Sequence, residues 1–230
     1  MEIETTKISV ILRTYNSAEF VQKALGSIAV QTLPVSEFEL VCVDDGSTDN
    51  TIEILETFAS EHQDINLKIV KSEHGGAIRA INTGINNSTG QYIVLLDSDD
   101  NFEPLILENL SSVLDTKPEI SFVYCDYYEK TGEKKKIVAV SDLMKTLAIG
   151  VMFRKDVLDA VGPYDESLIL PEYDIILKAN KTYTSEHIAE PLFTYNRRDG
   201  SITADPARVE LAEKQLRERH GEIIDKMRSY

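Results

Sequence analysis

The chain has 230 residues, 42% of them hydrophobic, and a formal net charge of -15 with a pI near 4.7. That is enough apolar material for a sizeable core, and the wrong charge for a sequence-independent nucleic-acid binder or for general attraction to anionic membranes. No apolar run approaches the length of about 18 residues that a membrane-spanning helix needs.

The N-terminus, Met1-Glu2-Ile3-Glu4, has no basic region followed by an apolar one, so no signal peptide is expected. The two cysteines, Cys42 and Cys125, lie in apolar runs and read as small buried residues rather than a disulfide or metal pair. A cytoplasmic location is the expectation.

Taken in order, Lys7 to Arg13 reads as a first strand, with Thr14-Tyr15-Asn16 as its exit loop. A helix capped by Asn16 or Ser17 should run to about Gln31, with Phe20, Val21, Ala24, Leu25 and Ile28 at helical spacing. A second strand, Phe38 to Val43, leads into Asp44-Asp45-Gly46-Ser47-Thr48-Asp49. Asp49 or Ser47 should cap the helix carrying Ile52, Leu55, Phe58 and Ala59. A third strand is expected at Asn66 to Val70, then a helix opened by Gly75-Gly76.

Next comes Tyr92-Ile93-Val94-Leu95-Leu96-Asp97-Ser98-Asp99-Asp100. Its apolar run reads as a strand buried on both faces. Three carboxylates in four positions repel one another, so they call for a positive partner. Hard carboxylate oxygens suit Mg²⁺ or Mn²⁺. The plainer reading is an acidic turn in which Asp100 or Asn101 caps a helix near Pro104.

The second half is less regular. A helix is expected over Pro104 to Leu114, a strand over Ile120 to Cys125, and a hairpin through Gly132 with Lys134-Lys135-Lys136 as a solvated tip and Ile137 to Val140 returning. Short helices follow at Asp156 to Val161 and Glu172 to Ala179. Asp205-Pro206 reads as an N-cap with proline at the first helical position. Val209, Ala212, Leu216, Ile223 and Met227 form the stripe of a last helix, which contains Gly221.

Alternating strands and helices predict an α/β fold, a mostly parallel sheet with helices on both faces. Ligands bind beyond the carboxyl ends of such strands. Thr14-Tyr15-Asn16, Asp44-Asp45 and Asp97-Ser98-Asp99 all occupy such ends and should converge on one rim. A calcium loop starting at Asp45 fails, because Asn50 stands where glycine is required. The chain is too long for a phosphoryl-accepting receiver domain. No glycine-rich phosphate-binding loop of the dinucleotide or P-loop kind is present.

Together, Thr-Tyr-Asn at 14 to 16, Val-Asp-Asp-Gly-Ser-Thr-Asp at 43 to 49, Asn-Thr-Gly-Ile at 82 to 85 and Leu-Asp-Ser-Asp-Asp at 96 to 100 resemble a family-two glycosyltransferase with the GT-A fold. The resemblance continues through Gly162-Pro163-Tyr164-Asp165-Glu166, Pro171-Glu172-Tyr173-Asp174, Pro191 to Tyr195 and Ser201-Ile202-Thr203. It implies a Rossmann-like sheet with a smaller mixed acceptor-side region. A single domain would span 1–204, its nucleotide-binding half about 1–100 and its acceptor half about 101–204. The C-terminal helix, 205–230, lies outside it.

The family moves a sugar from a nucleoside-diphosphate donor to an acceptor hydroxyl, with inversion. By resemblance, Asp99 holds the Mn²⁺ or Mg²⁺, and Asp97 sits near the ribose or metal. Asp44 contacts the base, and Thr14, Tyr15, Asn16, Asp45 and Ser98 belong to the same donor site. Arg79 meets the base or diphosphate, or is a surface arginine. Glu172 takes the position of the base, with Asp174 as the competing candidate. Arg198 clamps the diphosphate where many members carry histidine. Arg13 stands where proline is common, and Ile81 where arginine is. His74 precedes Gly75-Gly76 and could approach the nucleotide, but the expectation is a loop histidine without partners. A glycan or lipid-linked acceptor is implied, with peripheral membrane association and oligomerisation through the C-terminal helix as further expectations. The alternative is a catalytically weak domain that binds a nucleotide sugar or glycan.

Overall fold

The computed structural model describes residues 6–143, 147–198 and 205–221. The expected Ser201-Ile202-Thr203, Ile223 and Met227 lie outside these residues.

Four strands form the parallel part of the sheet: β1 (Ile8–Thr14), β2 (Phe38–Asp44), β3 (Asn66–Lys71) and β4 (Tyr92–Asp97). Their order is β3-β2-β1-β4, and they are linked by α1 (Val21–Ala29), α2 (Thr51–Glu61) and α3 (Ala77–Asn87). The sheet continues without a break into its second half. The described strands make one nine-stranded sheet, β3-β2-β1-β4-β8-β6-β9-β5, with β7 on β6. These strands are β5 (Asn101–Phe102), β6 (Ile120–Thr131), β7 (Lys134–Val138), β8 (Val151–Arg154) and β9 (Thr184–Asn196). β8 runs antiparallel to both β4 and β6. The remaining helices are α4 (Ile106–Thr116), α5 (Lys155–Val161), α6 (Pro171–Thr182) and α7 (Pro206–His220).

Side chains alternate across a strand, and this divides the core. Val10, Leu12, Val94 and Leu96 pack with Val21, Leu25 and Ile28 of α1, Leu55 of α2 and Leu110 of α4 on one face. Ile11, Ile93 and Leu95 pack with Ile81 of α3, Val157 of α5 and Ile175 and Ile176 of α6 on the other. Each such fully buried aliphatic contributes about 1.5–3 kcal/mol. Continuing the alternation, Arg13 and Asp97 emerge on the face that carries α6. α3 presses close to β1, because a Cβ on Gly84 would stand 2.3 Å from the Ile11 Cγ2 methyl.

Several boundaries differ from expectation. α1 begins at Val21, because the Ser17 carbonyl first accepts the amides of Phe20 and Val21 in a turn. Asn16 has φ 46 and does not cap it. Asn50 precedes α2 with no side-chain cap, although Asp49 Oδ1 still accepts the Thr51 amide at 3.0 Å. Asp100 and Asn101 cap no helix: Asn101 opens β5, and Asp100 accepts the Asn196 amide at 2.7 Å. β6 outruns its apolar stretch, since its polar end pairs with both β7 and β9. The lysine run is not the hairpin tip but the return strand, with the turn made by Gly132 at φ 58. β9 escaped notice because Pro191 and register shifts interrupt it.

Asp205 caps α7 as expected, accepting the amides of Ala207 and Arg208. The helix ends before Gly221, which has φ 50, rather than containing it. α7 lies back on the chain, with Ala212 and Leu216 buried and Gln215 bonded to the backbone of Ile169 and Ser167. No described helix is long and apolar enough to cross a membrane.

Candidate active site

The carboxyl ends of β1, β2 and β4 meet as the strand register requires. Thr14 lies opposite Asp44, and Arg13 opposite Asp97. Between them opens a cavity of about 440 Å³, lined by residues including Arg13, Thr14, Tyr15, Asp45, His74, Asp97, Ser98, Asp99 and Arg198.

The two carboxylates at the end of β2 do different work. Asp44 is fully buried and does not line the cavity. It accepts the Ser47 amide at 2.9 Å, the Ser47 hydroxyl at 2.6 Å and the Thr14 hydroxyl at 3.0 Å. Asp45 does line the cavity, and it fastens the loop before α3. Its two oxygens accept the Gly75 and Gly76 amides, each at 2.8 Å. His74 Nδ1 lies 2.9 Å from the Asp45 carboxylate and 3.1 Å from its carbonyl. A carbonyl only accepts, so that nitrogen carries the proton. The His74 ring stacks on Tyr15 with centroids 4.1 Å apart. His74 is therefore a partnered residue of the site, contrary to the expectation of a free loop histidine. Gly46, at φ 78, permits the close approach, since a Cβ there would meet the His74 amide nitrogen at 2.8 Å.

Asn16 ties the first loop to the second without lining the cavity. Its amide donates to the Ser47 hydroxyl at 2.9 Å, and its side-chain oxygen accepts the Thr48 amide at 2.8 Å. The Ser17 and Ser98 hydroxyls are bonded at 2.8 Å, joining the first loop to the acidic one.

Asp97, Asp99 and Asp100 bring carboxylate oxygens within 4.8 Å of one another. Burial, then the charge of Asp97, raises the Asp99 carboxyl above its ordinary range, opposed by Arg198. Burial and both neighbours raise Asp100 well above it. The Arg13 guanidinium takes Asp97 in a two-pronged bond, Nε to Oδ1 at 2.6 Å and a terminal nitrogen to Oδ2 at 3.0 Å. Arg198 holds Asp99 at 2.6 and 2.5 Å, with its guanidinium 4.1 Å over the Phe20 ring. Asn196 donates to the Asp99 carbonyl at 2.8 Å and its amide to Asp100, so the end of β9 holds the acidic loop. Clustered hard oxygens with two carboxyls raised above their ordinary range fit a divalent cation.

Glu172, in the first turn of α6, reaches the rim through Arg13, whose third nitrogen lies 3.5 Å from Oε1. Burial raises the Glu172 carboxyl; Arg13 works against that, and Asp97 adds to it. Asp174 goes elsewhere. It is buried beneath α7 against Lys178 at 2.8 Å, His220 at 2.7 Å and Arg219 at 3.4 Å. Arg79 is 58% exposed beside Glu166 at 3.8 Å and does not line the cavity. Ile81 is a core residue of α3.

Sequence reasoning underrated Arg13 and Asp100. Arg13 had a usable signal: a charged residue on a buried strand, in phase with Ile11, points to the same face as Asp97. Asp100 is legible only as one more acid of the cluster, because its partner, the Asn196 amide, is 96 residues away.

The profile of "Glycosyl transferase family 2" matches residues 9–164. Glycosyltransferase AglE of Haloferax volcanii is 27% identical over 230 aligned residues, covering 94% of this chain and 73% of that protein. The fold resembles S. aureus TarS 1-349 solved with UDP-GlcNAc, with TM-score 0.74, 24% identity and coverage of 85% of this chain. It also resembles the mannosyltransferase PcManGT of Pyrobaculum calidifontis solved with GDP-Man and Mn²⁺, with TM-score 0.73, 21% identity and coverage of 86% of this chain. The chain spans 60% and 59% of those two solved chains. The strand-end loops thus carry the motifs of a known family on its known fold, and since the profile takes in more than half of the sequence, the chain belongs to glycosyl transferase family 2.

Proposed function

We propose that the chain transfers a sugar from a nucleoside-diphosphate donor to an acceptor hydroxyl with inversion, using the cavity at the ends of β1, β2 and β4. The observation that carries this is the convergence there of an acidic cluster and two arginines, one of which reaches a partly buried glutamate. The folds solved with UDP-GlcNAc and with GDP-Man and Mn²⁺ support it.

In this reading Asp99 and Asp97, with Asp100 beside them, hold a Mn²⁺ or Mg²⁺ ion. When bound, the ion offsets negative charge on the departing diphosphate. Arg198 adds a fixed positive charge on the same side. Tyr15 and Thr14 bound the donor pocket, with the Tyr15 ring offering a flat surface to the nucleotide. Asp44 acts from behind by setting the Thr14 and Ser47 hydroxyls. Glu172 accepts the proton of the attacking hydroxyl at a carboxylate oxygen. A carboxyl raised by burial is better matched to that task than an exposed one. Asp174 is the weaker candidate for the base, because Lys178, Arg219 and His220 already engage it under α7. The acceptor is a glycan or lipid-linked sugar by family likeness alone.

A binding module without turnover is the second reading. One observation favours it: Arg13 and Arg198 already neutralise Asp97 and Asp99.

The test has two steps. Thermal unfolding with UDP, GDP, CDP or dTDP, each with and without Mn²⁺, should show a metal-dependent rise for one nucleotide. Ligand at about 100 times Kd contributes about 2.7 kcal/mol, which is roughly 5–10 °C for a chain of this size. Release of nucleoside diphosphate from UDP-GlcNAc, GDP-mannose and their CDP and dTDP counterparts should then fall by about 10²–10⁴ in Glu172→Gln, with the nucleotide shift retained. Binding without turnover selects the second reading, and no shift with any nucleotide refutes both.

A further inference from the structure

Arg13 is one residue that touches both the acidic rim and the candidate base. β1 and β4 pair in parallel register, so Arg13 and Asp97 stand opposite each other and emerge on one face of the sheet. The planar guanidinium meets the carboxylate with two nitrogens, at 2.6 and 3.0 Å. That fork-on-fork contact fixes the plane of the group. The remaining nitrogen is then aimed at Glu172 Oε1, 3.5 Å away and 159 residues along the chain. Glu172 comes from α6 in the second half of the sequence, whereas Asp97 ends β4 in the first.

The surroundings leave Glu172 dependent on this contact. Its side chain is 13% exposed. Tyr164, buried nearby, is a phenol and brings no positive charge. Among the described residues, Arg13 is the cationic side chain within ion-pair distance of Glu172. A buried carboxylate without a partner protonates or turns toward water.

We propose that Arg13 is a positioning residue for the base: locked onto Asp97 by strand register, its guanidinium holds the Glu172 carboxylate in place beside the donor cavity. This rests on the proposed transferase reading and deepens it. Lysine cannot replace it, because an ammonium is a point donor and cannot lock in plane on Asp97 while reaching Glu172.

The test is a double-mutant cycle with Arg13→Met and Glu172→Gln, alone and combined, with Arg13→Lys as the conservative variant. In the protein without ligand, Arg13→Met should lower Tm. Glu172→Gln added to it should recover part of that loss, because a neutral amide no longer needs the guanidinium. In turnover, nucleoside diphosphate release from the donor that the wild type uses should drop at least tenfold in kcat for Arg13→Met and Arg13→Lys, with KM changed less than threefold. In the Glu172→Gln background, Arg13→Met should cost less than twofold more.

Additive Tm losses, or full activity in Arg13→Lys, overturn the proposal. A KM effect without a kcat effect also overturns it, because Arg13 would then serve the donor. Coupled Tm losses in a wild type that turns over no donor would instead refute the transferase reading and leave the contact structural.

Discussion

Replacing Asp45 by asparagine separates the two carboxylates at the end of β2. Asp45 is 2% exposed, and each of its oxygens faces a fixed donor, the Gly75 amide at one and the Gly76 amide and His74 Nδ1 at the other. A backbone N–H cannot reverse its role. The asparagine NH₂ must therefore confront at least one of these donors. One charge-assisted hydrogen bond is lost outright, about 1.5–3 kcal/mol, and those kept become neutral and roughly half as strong. The sum is about 2–4 kcal/mol, or roughly 4–16 °C in Tm at this chain length. Asp44→Asn is the control. Two of the three groups on Asp44 are hydroxyls, of Ser47 and Thr14, and these rotate to accept from an NH₂ while the remaining oxygen keeps the Ser47 amide. Its loss should be less than half as large. Thermal unfolding by circular dichroism reads both. Equal losses, or an Asp45→Asn protein within about 1 °C of wild type, would refute the reasoning from fixed and rotatable donors.

Two glycines in helices should respond with opposite sign. Gly26 in α1 has nothing within 4 Å of an added Cβ, so Gly26→Ala should gain up to about 1 kcal/mol from helix propensity. Gly84→Ala meets the stiff Ile11 methyl at 2.3 Å, and overpacking of about 1–3 kcal/mol outweighs that gain. The two midpoints in urea should move in opposite directions, and parallel shifts would contradict the packing described for α3. Docking of α7 should weaken in acid in two stages. Burial holds His220 below its ordinary value despite Asp174, so the unfolded chain takes that proton first and stability declines as pH falls below about 6.5. Asp174 is held below its ordinary value because its bonds to Lys178 and His220 outweigh burial, so a further loss begins below about pH 4. His220→Gln should abolish the upper stage in unfolding measured from pH 7 to 5, and an unchanged slope would show that this pair is not the cause.

The parallel half of the fold was legible because its signals are local. β1, β2 and β4 are apolar runs closed by polar loops, and a doubly covered strand needs nothing more to be read. The loops that end them were likewise legible as a rim, since parallel strands all finish on one side. β5, β9 and the true length of β6 were not. Their strand character rests on pairing with each other over residues up to 93 positions apart, and β9 contains a proline that argues against a strand when read alone.

At the site, sequence by itself determined which residue types would gather: three aspartates at the end of β4, two at the end of β2, and a glutamate in the first turn of α6. Only the tertiary structure decided what each one faces. Asp44 and Asp45 are neighbours of the same chemistry, but strand alternation turns one into the protein and leaves the other on the cavity wall. Glu172 and Asp174 are two residues apart on a helix, about 200° around its axis. One therefore points to Arg13 and the other to His220 beneath α7. An ion pair depends on register and helix phase acting over long chain separations, and neither is written in the identity of the residue that makes it.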